Sequence, residues 1–221
     1  MAAFGPFVAP NISPDPGQGI GSWQPIDPAR AMTLGVSPEG RHDCPAFPCP
    51  SYIKAAPQDI VDLYAFLLTL PGGATPSQPH AIRFPFSIRR LVGLWKVLYL
   101  RKDWAVPGEL APEQARGRYL AEALAHCAEC HTPRNALGGP DLKRWLAGGP
   151  SPDGRDKFPN ITPAGLDWSE ADIAEYLRSG FAPDFDSVGG PMALVVDSLS
   201  RLTDADRAAI AAYLRTVPPS G

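Results

Sequence analysis

Apolar positions recur along this chain at helical spacing. Leu63, Phe66, Leu67 and Leu70, followed by Pro71, trace an i, i+3, i+4, i+7 face. Ile210, Tyr213, Leu214 and Val217, followed by Pro218, trace the same face 147 positions later. Further helices are predicted over 28–35, with a glycine stop at Gly35, and from Pro57 to just before Pro71. In the second half, residues 113–124 read as a helix, and Ser169 caps another over 170–178 that stops at Gly180. Thr203 with Asp206 forms a capping-box pattern for the last helix. Alternating strand patterns are absent, so the expected class is all-α with long Pro/Gly loops.

The matching terminal helices belong to a longer internal repeat. Pro10-Asn11-Ile12-Ser13-Pro14 recurs as Pro159-Asn160-Ile161-Thr162-Pro163. Trp23, Asp27, Gly35 and Pro38 then match Trp168, Asp172, Gly180 and Pro183 at a common offset of 145. The expected organisation is two tandem copies of one domain. Residues 1–71 form the first, incomplete copy, 72–111 a linker, and 112–221 the second copy.

The densest candidate chemistry lies in the second copy, at Ala-His-Cys-Ala-Glu-Cys-His over residues 125–131. Cys127 and Cys130 are spaced to lie on one side of a helical turn, where both can form thioethers to the two vinyl groups of a porphyrin. His131 follows directly and would present its imidazole to the iron. A zinc site would need four ligands, but the other cysteines, Cys44 and Cys49, lie far upstream in a different segment. A thioredoxin-like dithiol would follow a strand, whereas here a helical pattern runs into Cys127.

A haem that shuttles electrons needs a sixth ligand, and methionine thioether favours reduced iron. Met192 stands in the loop Val188-Gly-Gly-Pro-Met, 61 residues after His131, while Met1 and Met32 fall in the other half. The plain alternative for Met192 is core filler. The repeat places Phe47 where Met192 would be in the first copy, and projecting Cys127 back falls before Met1. One haem c is therefore expected, and the natural gene is expected to start upstream or at a different codon. His42, His80 and His126 read as loop histidines. A backbone carbonyl near Pro133 is the expected partner of the proximal imidazole, and Trp168, Asn160, Thr162 and Arg134 are candidate propionate donors.

Composition narrows the class. Among 221 residues, 27 prolines and 21 glycines imply much ordered loop, and hydrophobic residues at 44% fit a globular protein. A net charge of −3 gives no basic footprint for nucleic acid. No run approaches the roughly 20 apolar residues of a membrane span, and the N-terminus lacks the pattern of a secretory signal. Covalent haem attachment takes place on the outer side of the bacterial inner membrane, so the motif points to the periplasm despite that missing signal. Residues 89–102, RRLVGLWKVLYLRK, are apolar with basic flanks. They suit docking on a membrane surface or a partner subunit, or packing between the two domains. Cys44 and Cys49 are close enough for a disulfide, although Pro45, Pro48 and Pro50 oppose the geometry.

With FVAPNISPDPGQGIGSW, GVSPEGRHDCPAFPCPSY, FPFSIRRLVGLWKVLYL, GRYLAEALAHCAECHTPRNALGG and DFDSVGGPM assembled, the chain resembles the multihaem c-type cytochromes of proteobacteria. These include the cytochrome subunits of quinoprotein alcohol dehydrogenase and of gluconate and sorbitol dehydrogenases. The resemblance implies class I cytochrome c folds in series, passing electrons from a membrane-bound dehydrogenase towards a quinone or terminal oxidase, with association at the inner membrane. The chain departs from that pattern in its missing upstream motif and in Phe47, Cys44 and Cys49. An electron-transfer subunit rather than an enzyme is expected. The rival readings are a haem enzyme with an open or switchable sixth site, handling thiosulfate or peroxide, and a docking module whose first domain only binds a dehydrogenase.

Overall fold

In this computed structural model the described residues are 5–43, 47–84, 87–151, 154 and 157–220. The chain divides into two compact units, Met1–Lys102 with Pro152–Arg155, and Asp103–Ser151 with Asp156–Gly221. Described residues are mostly helical or loop, and the strand pair among them is two residues long, Gly149 facing Phe158 and Pro150 facing Lys157.

The first unit holds α1 (Ile26–Leu34), α2 (Cys49–Tyr52), α3 (Pro57–Leu67) and α4 (Arg89–Tyr99). Helix α1 starts two residues before the expected Pro28, and Gly35 closes it at φ 55, a left-handed stop that a side chain would strain. Pro57 opens α3 at the first helical position, where its missing N–H costs nothing. The Tyr64 hydroxyl ties α3 to the loop before α1 by donating to the carbonyls of Ile20 (3.2 Å) and Trp23 (3.0 Å).

Residues 72–111, expected as a linker, are shared between the units and divide after Lys102. The Asn11 side chain donates to the Gly73 and Thr75 carbonyls, and the Val8 N–H donates to His80 Nδ1, which fastens 73–80 to the N-terminal segment. Residues 89–99 form a helix where the sequence showed only an apolar segment. Its Lys96 ammonium donates to the carbonyls of Leu34 (2.6 Å) and Gly35 (3.4 Å), placing a cation on the negative end of α1. Gly93 lies against the His42 ring, where a Cβ would come within 3.2 Å of Nε2.

The second unit holds α5 (Pro112–Arg118), a π-helical turn (Tyr119–Leu124), α6 (Ala128–His131), α7 (Glu170–Ser179), α8 (Met192–Leu199) and α9 (Asp204–Thr216). Ser169 and Asp172 cap α7 reciprocally, and Thr203 caps α9, as their spacing predicts. Helix α5 crosses α9 closely enough that a Cβ on Gly117 would lie 1.8 Å from the Ala209 carbonyl oxygen. The Arg116 side chain pairs with Asp206 across the same crossing at 2.8 Å. Leu120, Ala121, Trp145, Leu146, Ile173 and Leu177 pack with Ile210, Tyr213, Leu214 and Val217 into the core of this unit. The predicted helix over 113–124 is thus α5 continued by a π turn, and that widened turn carries Glu122 into the interior.

The sequence repeat has a counterpart in hydrogen bonds. Asn11 Nδ2 donates to the Gly73 carbonyl at 2.6 Å, and Asn160 Nδ2 donates to the Ser220 carbonyl at 2.6 Å. Each asparagine also accepts at Oδ1 from the N–H two residues on, Ser13 in one unit and Thr162 in the other, at 2.9 Å. Val36 bridges His42 as Phe181 bridges Ser187, an offset of 145. The terminal helices differ in cover. Ile210, Tyr213, Leu214 and Val217 are buried against α5, whereas the matching Leu63, Phe66 and Leu70 are exposed, Phe66 by 59%.

Candidate functional site

The π turn feeds directly into the cysteine motif. The Ala125 N–H donates to the Leu120 carbonyl, and the Cys127 N–H reaches back to the Ala121 carbonyl at 3.1 Å. Between them His126 takes a left-handed backbone at φ 43, which reverses the chain before α6 begins. The short helix then sets Cys127 half-buried and Cys130 exposed, with His131 buried one residue further on. Burial pushes the Cys127 thiol up to about 11, and burial raises Cys130 as well. Both sulfurs are therefore thiols rather than thiolates around neutral pH.

His131 is held at three points. Its N–H donates to the Cys127 carbonyl at 3.0 Å, its carbonyl accepts from the Gly148 N–H at 2.7 Å, and Nδ1 lies 2.9 Å from the Pro159 carbonyl oxygen. A carbonyl can only accept, so Nδ1 carries the proton and Nε2 keeps the lone pair. Burial lowers the imidazole pKa, opposed by the bond to Pro159, which favours the neutral ring that a metal requires. The Phe158 ring stands 6.2 Å from the imidazole. The expected carbonyl near Pro133 is thus replaced by one 28 residues downstream, because Pro159 opens the repeated Pro-Asn-Ile-Thr motif that passes beside α6.

That motif is structural in its remaining members. Thr162 is fully buried, and its hydroxyl donates to Asn160 Oδ1 at 2.8 Å, so both clasp the C-terminal segment instead of offering donors to a propionate. Arg134 pairs with Glu129, and the Trp168 ring meets Tyr176 edge-on at 5.2 Å.

Met192 is the first residue of α8, where the sequence reading placed it in a Gly/Pro loop. Gly190, at φ 58, supplies the turn that starts the helix. The Met192 side chain is half-buried and packs, like Cys127, on the rim of the second unit's core. In the first unit Phe47 instead faces Tyr52, with ring centroids 5.2 Å apart. Cys49 is fully buried and disulfide-bonded, and Cys44 lies outside the described residues.

The interior of this unit also holds a carboxylate. Glu122 is fully buried and accepts from the Ala105 N–H (2.9 Å), the Val106 N–H (3.4 Å) and the Tyr213 hydroxyl (2.6 Å). A lone carboxylate inside an otherwise apolar helical stretch was the available signal. This network joins the segment entering the second unit, the turn before the cysteine motif and α9.

The donor set fits a covalently attached haem on its own terms. Two thiols lie one turn apart, the adjacent neutral imidazole has its outer nitrogen fixed, and a thioether sits on the same core's rim. The cytochrome c family profile matches residues 114–218, which contain all four groups. A diheme cytochrome c-type protein of Cereibacter sphaeroides is 59% identical over 215 residues, covering 97% of this chain and 73% of that relative. The fructose dehydrogenase cytochrome subunit of Gluconobacter japonicus is 37% identical, covering 97% of this chain and 45% of its own length. The gluconate 2-dehydrogenase cytochrome c subunit of Pantoea cypripedii is 32% identical, with 97% and 52% covered. The chain thus spans about half the length of these two dehydrogenase subunits. On this similarity, and on a motif that supplies the thiols and imidazole such proteins use, the chain belongs to the cytochrome c family of haem-bearing electron-transfer proteins.

Proposed function

We propose that this protein is a periplasmic electron carrier with one haem c in its second unit, working between a membrane-associated dehydrogenase and a downstream quinone or oxidase. Cys127 and Cys130 hold the porphyrin, each thiol adding its S–H across a vinyl group with nothing released. His131 and Met192 are the axial ligands. The two units are read as tandem class I cytochrome c-like domains, the first over 1–71 and the second over 112–221, supported by the paired asparagine clasps.

The observation that carries the reading is the bond between His131 Nδ1 and the Pro159 carbonyl at 2.9 Å. It orients a neutral imidazole beside two thiols that no disulfide consumes. The haem iron supplies the one-electron chemistry when bound. The protein's own work is to fix the tautomer of His131, to exclude water with Leu120, Leu146 and Leu177, and to bring up the Met192 thioether. The dehydrogenase partner is supported by the names of the relatives, which include cytochrome subunits of fructose and gluconate dehydrogenases. The count of one haem follows from the single Cys-x-x-Cys-His in the chain and from Phe47. It differs from the diheme relative.

The test is a pyridine haemochrome spectrum with intact mass, on the full chain exported to the periplasm alongside the haem-maturation machinery. One covalent haem, lost in Cys127→Ala/Cys130→Ala, is expected. A folded product with no covalent haem would overturn the assignment.

A further inference from the structure

Helix α4 is largely apolar, yet its own unit uses only one side. Gly93 and Lys96 face His42 and the end of α1, and Val92, Trp95 and Tyr99 on that side are half-buried, the two rings 4.9 Å apart. The opposite side carries Leu91, Leu94, Val97 and Leu98, all exposed, Leu94 by 62% and Val97 by 78%. Successive exposed leucines and a valine at this spacing make a continuous stripe, which water disfavours.

Charge is segregated along the same stretch. No acidic residue occurs between Asp62 and Asp103, where six Lys and Arg residues give the segment +6, and the rest of the chain carries −9. Arg90 is exposed on the helix, and Arg101 and Lys102 are exposed just past its end. An anionic surface therefore attracts the segment around α4, while the rest of the chain carries net charge of the opposite sign. An apolar stripe with cations at both ends and no carboxylate among them matches a helix that lies in the plane of a bilayer interface.

We propose that α4 docks the protein on an anionic lipid surface, with Leu91, Leu94, Val97 and Leu98 at the acyl boundary and Arg90, Arg101 and Lys102 on lipid phosphates. The inference deepens the proposed function by placing the carrier at the membrane, and it rests on that reading only for the haem absorbance used as a label.

The experiment is vesicle flotation of the haem-loaded full chain, followed by haem absorbance and tryptophan fluorescence. Vesicles are of phosphatidylcholine alone, or with one third phosphatidylglycerol, in about 50 mM and about 500 mM salt. The protein floats with anionic vesicles at low salt, and binding falls at least about tenfold at high salt or on phosphatidylcholine. Leu94→Glu/Val97→Glu, at two exposed positions, abolishes flotation while haem content and melting temperature stay unchanged. Arg101→Gln/Lys102→Gln weakens it. Absence of binding to anionic vesicles, or flotation of the Leu94→Glu/Val97→Glu variant like the parent, overturns the proposal. So does self-association in light scattering that the same variant removes, since the stripe would then be an interface between copies. A chain without haem absorbance bears on the carrier assignment alone, because fluorescence still reports flotation.

Discussion

The hydroxyl of Tyr213 donates to the buried carboxylate of Glu122 across a separation of 2.6 Å, joining the terminal helix to the π turn that precedes the cysteine motif. A buried carboxylate is tolerated only when its donors are all in place. Tyr213→Phe removes the hydroxyl donor to Glu122 and should cost about 1.5–3 kcal/mol in urea unfolding. The phenol pKa is raised, first by burial and then by the Glu122 charge. A raised folded-state pKa contributes stability that is full below the unfolded value of about 10 and is lost as pH climbs above it. Parent and Tyr213→Phe should therefore converge in stability between about pH 10 and 12. A constant gap across that range would show that the hydroxyl contributes through packing alone.

The Asn160 clasp holds the segment whose first carbonyl, from Pro159, orients His131. Asn160→Ala should loosen that carbonyl, weaken the electron donation that favours oxidised iron, and raise the midpoint potential. Asn11→Ala removes the equivalent clasp in the first unit, where no cysteine motif is present. Its expected effect is a loss of about 1–3 kcal/mol with an unchanged potential. Spectroelectrochemical titration of the pair separates a tuning role for Asn160 from general loosening.

Replacement of Met192 by Ala should lower the midpoint potential, since the thioether favours the reduced iron. It should also open the iron to carbon monoxide, read as a shifted Soret band in the reduced protein. A parent protein that already binds carbon monoxide would instead support the open-site enzyme reading.

Most of the helical framework was legible in the sequence because its signals are local. Ser169 with Asp172, Thr203 with Asp206, and the glycine stops at Gly35 and Gly180 act within one turn, and each stands where its spacing predicts. The misjudged features depend on distant partners. Helix α4 is organised by Lys96 reaching Leu34 and Gly35, about sixty residues away. The sequence points to a carbonyl near Pro133 as the acceptor for His131, whereas the acceptor lies 28 residues on, because proximity in a fold of long loops is set by packing. The glycines and proline before Met192 predict a loop, yet Pro191 sits at an N-cap, where proline is compatible with a starting helix.

The matched terminal helices allow a comparison inside one molecule. Leu214 in α9 is buried against its unit's core, so Leu214→Ala should cost about 2–5 kcal/mol. Phe66 in α3, on the matching face and 59% exposed, should cost within about 0.5 kcal/mol on replacement by Ala. Chemical denaturation of both variants, against the parent, gives the two numbers. Phe66 and Leu214 are neighbouring rather than equivalent positions of the repeated pattern, but Phe66 is the larger side chain, so a smaller loss there would report the difference in cover: α5 lies on one stripe, and Phe66 on the other is exposed. A large loss at Phe66 would mean that in solution this face has a partner, and fluorescence quenching or light scattering on the same sample would then show whether that partner is a second copy.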